Sequence, residues 1–245
     1  MATLQQRLQE LVPQWRKERD RLLKEKGDKV ISECTVAQAF GGMRGVKGMI
    51  CDTSLVEADK GLIIRGYPLL EIENLWPEQT FILLLTGEIQ PLDNEMVKAF
   101  QLDMNRRSHL PKYVHDVLRA MPKGSHPMAM LNTGIMVMEK ESTFRESYDR
   151  GMRKEDYWVP MLDDSLDLLA KLPGLAAAVY RLAYDKGEPI PWTPGLDWGA
   201  NYANMLGLKD ATGDFAQLMR LYLHFHSAHE GGNVSAATCP TVGSA

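Results

Sequence analysis

The chain is 245 residues long, with 44% hydrophobic and 24% charged residues, the balance of an ordinary globular protein, which excludes disordered, collagen-like and low-complexity classes. Its 28 Lys+Arg against 32 Asp+Glu give a formal charge of −4, so a general attraction to nucleic acid or to an acidic membrane surface is not expected. Cys34, Cys51 and Cys239 are odd in number and lack CxxC spacing, against a disulfide framework or a structural zinc site and in favour of a reducing compartment. No stretch approaches the roughly 20 apolar residues of a membrane span.

The N-terminal segment has no apolar core of a secretory signal and carries Glu and Asp throughout, so it reads as folded structure. Leu4, Leu8, Leu11 and Trp15 recur at three and four residues, the period of one helix face, and Pro13 is expected to kink or split that helix. Residues 49–53 and 61–65 read as two short strands joined by a turn at 57–60, the one convincing strand signal. Helical segments follow, punctuated by Pro77, Gly87, Pro91, Pro111, Pro122, Pro127, Pro160, Pro173 and the loop 189–195. Phe215, Leu218, Met219 and Tyr222 mark a late helix with Thr212 or Asp214 as its cap. With no repeat and no linker, the expectation is one mainly α unit with a small β-hairpin near the N-terminus.

Two segments exceed background. Gly41-Gly42-Met43-Arg44-Gly45-Val46-Lys47-Gly48 combines four glycines with two cations, the backbone donors and charges a phosphate needs. Its spacing matches neither a dinucleotide fingerprint nor a P-loop, so an ordinary turn is the competing reading. The second is His224-Phe225-His226-Ser227-Ala228-His229-Glu230-Gly231-Gly232-Asn233. A zinc reading would use His226, His229 and Glu230, but the second histidine of HExxH is replaced by Asn233. Alternatively Gly231-Gly232 ends the helix and Asn233 caps a new one, leaving backbone donors beside an imidazole as a seat for a small carboxylate. A plain histidine cluster at a helix end explains the same spacing. His126 is expected to order the turn before a helix, while His109 and His115 receive no role. No nucleophile motif and no acid/base carboxylate pair stands out.

Taken in order, GGMRGVKG, DTS, LIIRGYP, SHPMAML, LDWGANYANMLG and LMRLYLHFHSAHEGGNVSA resemble the corresponding segments of the citrate synthase family, in its eukaryotic-type branch. The resemblance runs from Gly41 to Ala245 and fits the N-terminal helix more loosely. It implies a mainly α fold, the family's large helical domain, with residues 1–245 as its N-terminal portion and the small domain absent. It also implies condensation of acetyl-CoA with oxaloacetate and water to citrate and coenzyme A in the tricarboxylic acid cycle, an acyltransferase reaction. Acetyl-CoA would be the co-substrate, with no permanently bound cofactor and no metal.

Carried over by position, His229 and Asn233 are expected to contact oxaloacetate, and Arg44 the phosphate of coenzyme A. Lys154 falls where the family often has a second phosphate-contacting arginine, although Lys cannot reproduce a bidentate guanidinium contact. The family's enolising aspartate and two catalytic histidines belong to motifs absent here, so no catalytic residue is assigned before Ala245 and the 245 residues alone are expected to be inactive. Ala237 stands where the family has a histidine, and Cys239-Pro240 where it has a polar pair. The alternatives are 2-methylcitrate synthase, acting on propionyl-CoA, and a non-catalytic helical dimerisation module. A homodimer through large-domain helices is expected, with no nucleic acid or membrane partner. A start close to that of the mature family proteins suggests a bacterial cytoplasmic protein, with the mitochondrial matrix as the alternative.

Overall fold

A computed structural model describes residues 3–47 and 50–230. Ten α-helices and a three-stranded antiparallel sheet make up these residues, with three short 3₁₀ turns between them. Helix α1 spans Leu4–Lys26, α2 Val36–Phe40 and α3 Pro77–Thr86, and the strands β1 Ser54–Glu57, β2 Gly61–Ile64 and β3 Tyr67–Pro68 lie between α2 and α3. Then follow α4 Glu95–Arg107, α5 Lys112–Ala120, α6 Pro127–Val137, α7 Thr143–Asp149, α8 Trp158–Ala183, α9 Trp198–Leu206 and α10 Asp214–Phe225. The described residues pack as two compact units, one formed up to Lys98 and from Leu221 onward, the other by Ala99–Arg220.

In the first unit the expected face of α1 is buried at Leu4, Leu8 and Leu11, and Thr3 closes a capping box with Gln6. Trp15 is exposed and lies 6.0 Å beneath the Arg65 guanidinium. Pro13 does not split this helix, which continues through it. Proline removes the hydrogen bond to the carbonyl of Gln9, and because both residues are exposed, water can satisfy that acceptor.

The sheet differs from expectation in its bounds. Strand β1 begins at Ser54 rather than within 49–53, and Glu57 is its last residue rather than part of the turn. The turns decide this. Gly61, at φ 73°, closes a three-residue loop and pairs with Glu57, while Arg65 and Gly66, at φ 49° and 90°, form a two-residue turn that ends β2 at Ile64. The β1–β2 ladder is therefore confined to Ser54↔Ile64 through Glu57↔Gly61. The second turn also returns a third strand, β3, which the alternation did not reveal because it is only two residues long. Ile64, Ile72 and Leu83 form the core beneath the sheet, with Leu62, Leu69, Leu75 and Leu84 against it.

In the second unit α8 carries the core. Leu175, Ala178 and Val179 pack with Val114 and Leu118 of α5 and Met130 of α6. Close approach of α6 to α8 depends on Gly134, where a Cβ would stand 2.5 Å from Leu175 Cδ1. Pro160 and Pro173 do not bound this helix: Pro160 sits in its first turn, and Pro173 is buried inside it. Asp164 gathers the start of α7, accepting from Ser142 Oγ at 2.6 Å and from the Thr143 and Phe144 N–H groups at 2.8 and 3.1 Å. Burial raises its pKa, but these donors outweigh burial and hold it below the usual carboxylate range.

Candidate functional site

The histidine-rich segment begins in the last turn of α10 and runs on from it. The helix is capped by Asp210, whose carboxylate accepts from Phe215 N–H at 3.1 Å and Ala216 N–H at 2.8 Å. Thr212 and Asp214, the expected caps, bond to one another instead, because Gly213 at φ 82° folds the approach back so that Asp210 reaches the open donors. Helix α10 ends at Phe225 rather than at Gly231-Gly232. His226 Nδ1 donates to the Tyr222 carbonyl at 2.8 Å, and its ring stacks on Tyr222 at 4.1 Å, which completes the last turn.

Two anchors in the first unit bracket the segment. At its start His224 is fully buried on α3, with Nδ1 2.6 Å from Thr80 Oγ1, and burial lowers the imidazole pKa. At its end Glu230 donates its N–H to Ser54 Oγ at 2.9 Å and accepts from Val56 N–H through its carboxylate at 2.8 Å. His229 stands one residue before this second anchor and is exposed. The zinc arrangement of His226, His229 and Glu230 does not form, since His226 Nδ1 and the Glu230 carboxylate are engaged with backbone. Among the described residues no three His, Cys, Asp or Glu side chains form a group suited to a metal ion.

Residues 41–47 of the glycine-rich segment form an irregular turn after α2, and Gly48 lies outside the described residues. Gly42, Met43 and Gly45 all have positive φ, 76°, 62° and 75°. Met43 N–H donates to Gln38 O at 2.7 Å, Gln38 Nε2 to Arg44 O at 3.2 Å, and Lys47 N–H to Ser32 Oγ at 3.1 Å. These bonds shape a small loop whose exposed tip carries Arg44. Three of the four non-glycine residues with positive φ among those described, Met43, Arg65 and Glu230, lie in segments that the family resemblance singles out. Such strain persists only where surrounding contacts hold it.

The structure describes Arg44 and His229 within the first unit, with no hydrogen bond or ion pair between them among the described residues. Lys154 belongs to the second unit, where it opens a 3₁₀ turn and is exposed, while its neighbour Arg153 pairs with Asp156 at 2.9 Å. Asn233 lies outside the described residues, as do Ala237 and Cys239-Pro240. His126 does order a helix start, its Nδ1 accepting from Met128 N–H at 3.1 Å ahead of α6. The roles of Thr80, Ser54 and Glu230 have no mark in the sequence beyond a charged residue placed immediately before two glycines.

In the LDWGANYANMLG segment, Asp197 caps α9 through Ala200 N–H at 3.1 Å and takes Arg220 of α10 at 3.0 and 2.7 Å. Asn201 is fully buried and donates to the Thr193 and Leu196 carbonyls at 3.0 and 2.9 Å. These residues build the scaffold on which α10 rests, and no helix among those described is long and apolar enough to cross a membrane.

The family model described as citrate synthase, C-terminal domain, matches residues 42–245. The mitochondrial citrate synthase of Saccharomyces cerevisiae is 42% identical over 253 residues, covering 99% of this chain and 52% of the yeast protein. The mitochondrial 2-methylcitrate synthase of Yarrowia lipolytica is 39% identical, covering 99% of this chain and 54% of its own. The crystal structure of citrate synthase from Pyrobaculum aerophilum shares the fold with a TM-score of 0.69 at 22% identity, over 83% of this chain and 51% of that one. The chain thus spans about half the length of the curated relatives it matches. Those two relatives are mitochondrial proteins of eukaryotes, which overturns the expectation of a bacterial cytoplasmic protein. A family model that covers most of the chain, relatives near 40% identity along it and the shared fold lead to one conclusion: the chain belongs to the citrate synthase family.

Proposed function

We propose that the protein to which this chain belongs condenses acetyl-CoA with oxaloacetate and water to give citrate and coenzyme A, and that these 245 residues supply substrate contacts for that reaction. In this reading residues 1–245 are the N-terminal portion of the large helical domain. The enolising aspartate and the two proton-handling histidines come from the half of the family's length that this chain does not span. The observation that carries the reading is the exposed His229 held between two anchored neighbours, one on α3 and one on β1. An imidazole so presented can hydrogen-bond a carboxylate or ketone oxygen of oxaloacetate, and Asn233 is assigned a second contact by its position in the family motif.

Arg44, exposed in the glycine-rich turn, is the contact for a coenzyme A phosphate, and Lys154 of the second unit is assigned a phosphate contact by its position in the family pattern. The role of the protein around these groups is to orient the two substrates, so that the enol of acetyl-CoA meets the oxaloacetate ketone. Acetyl-CoA is a co-substrate, and the reaction requires no resident cofactor. A dimer through large-domain helices is part of the same proposal. The exposed Leu218, Tyr222 and Phe225 of α10 offer it apolar surface.

Steady-state kinetics on the protein purified from its source cell test the assignment. His229→Gln should raise KM for oxaloacetate by about tenfold or more and leave KM for acetyl-CoA nearly unchanged, while Arg44→Ala should do the reverse. Unchanged KM values in both variants would contradict the assignment. The 39% identity to a 2-methylcitrate synthase favours one second reading, turnover of propionyl-CoA. A higher kcat/KM for propionyl-CoA than for acetyl-CoA would make that the function.

A further inference from the structure

We propose that Ser54 and Glu230 are positioning residues for His229, forming a clamp that ties the histidine to the edge of the sheet. The proposal rests on the reading of His229 as an oxaloacetate contact. Strand β1 is an edge strand, paired only with β2 among the described residues. At this edge Val56 N–H is taken by the Glu230 carboxylate, and the buried Ser54 hydroxyl accepts from Glu230 N–H. Residue 230 is thus held at its backbone and at its side chain, on two residues of one strand whose register is set by turns on both sides of β2.

Its backbone conformation adds to the argument. Glu230 sits at φ 49°, a left-handed conformation that glycine adopts at no steric cost. If the segment needed only a turn, glycine would serve better than glutamate. The carboxylate bond to Val56 N–H is what glutamate contributes in exchange for that strain. His229, joined to this fixed residue, makes no side-chain hydrogen bond among the described residues and is exposed, so its ring is free to meet a ligand while the residue after it is held on Ser54 and Val56.

The test measures steady-state kinetics and thermal unfolding of the protein purified from its source cell, with Ser54→Ala, Ser54→Thr, Glu230→Gly and His229→Gln. Glu230→Gly relieves the backbone strain while removing the carboxylate, so it should unfold no earlier than the parent yet raise KM for oxaloacetate by about tenfold. Ser54→Ala should raise the same KM, and Ser54→Thr, which keeps the hydroxyl, should restore it to within about twofold. KM for acetyl-CoA should stay unchanged in all of these variants. A normal oxaloacetate KM in both Glu230→Gly and Ser54→Ala, while His229→Gln raises it, would overturn the clamp and spare the site. Equal rises in both KM values with early unfolding would also overturn it, since that is a structural role only. No effect of His229→Gln would instead remove the oxaloacetate reading on which the clamp depends.

Discussion

His224 shows how one buried side chain links pH to the integrity of the segment it anchors. It is fully buried, its Nδ1 meets Thr80 Oγ1, and its Nε2 is buried with no partner among the described residues. Thr80 also bonds the Trp76 carbonyl at 3.2 Å, so its single proton can serve only one of these acceptors. The arrangement suits an imidazole that donates from Nδ1 and leaves a bare nitrogen at Nε2. Protonation would place a second N–H where nothing accepts it, and burial accordingly lowers the pKa. The folded value lies below the unfolded one of about 6.5. Stability from neutral His224 is therefore complete above that pH and is lost as pH falls from it toward the lowered folded value. The unfolding midpoint in denaturant should drop across this window, and His224→Gln should flatten the drop; an equal slope in the variant would count against the assignment. In the sequence, His224, His226 and His229 looked like one cluster. Burial separates them, and burial depends on α3, which is 144 residues away from His224 at Thr80.

At the scale of elements, the close crossing of α9 and α10 makes a sharper demand. A Cβ on Gly199 would lie 2.7 Å from Arg220 Cγ and 3.0 Å from its backbone nitrogen. The main chain of α10 cannot move aside without disturbing the Asp197–Arg220 pair, in which Asp197 is nearly enclosed. Gly199→Ala should therefore destabilise the protein by about 1–3 kcal/mol, although alanine is the better helix former; urea unfolding at neutral pH measures it, and a neutral or stabilising change would refute the crossing. Helix faces were legible because their apolar period survives in the fold, as at Leu4, Leu8 and Leu11. Helix starts were legible where the signal is local, as with Pro77 and Pro127 at the first helical positions and His126 before α6. They were not legible where the cap comes from outside the first turn, as Asp210 does for α10. Nor could proline be read as punctuation at positions 13 and 173. Whether it stops a helix depends on whether tertiary packing holds the chain helical on both sides.

For the molecule as a whole, the sequence announced a mainly α chain with a small sheet, and the fold agrees. It did not announce the division into two units, which falls within α4 and α10, where no glycine, proline or polar linker marks it. The proposed site has sequence marks at only some of its residues. Arg44 and His229 lie in segments with unusual composition, whereas Ser54 in β1 has no mark until the chain brings Glu230 to it from 176 residues away. Citrate formation from acetyl-CoA and oxaloacetate decides whether these residues bind substrates for a condensation that other groups of the protein complete. The protein purified from its source cell and the isolated 245-residue chain would be run side by side. Oxaloacetate-dependent citrate and thiol release is expected from the first and none from the second. No citrate from the source protein, or equal rates from the two, would contradict it.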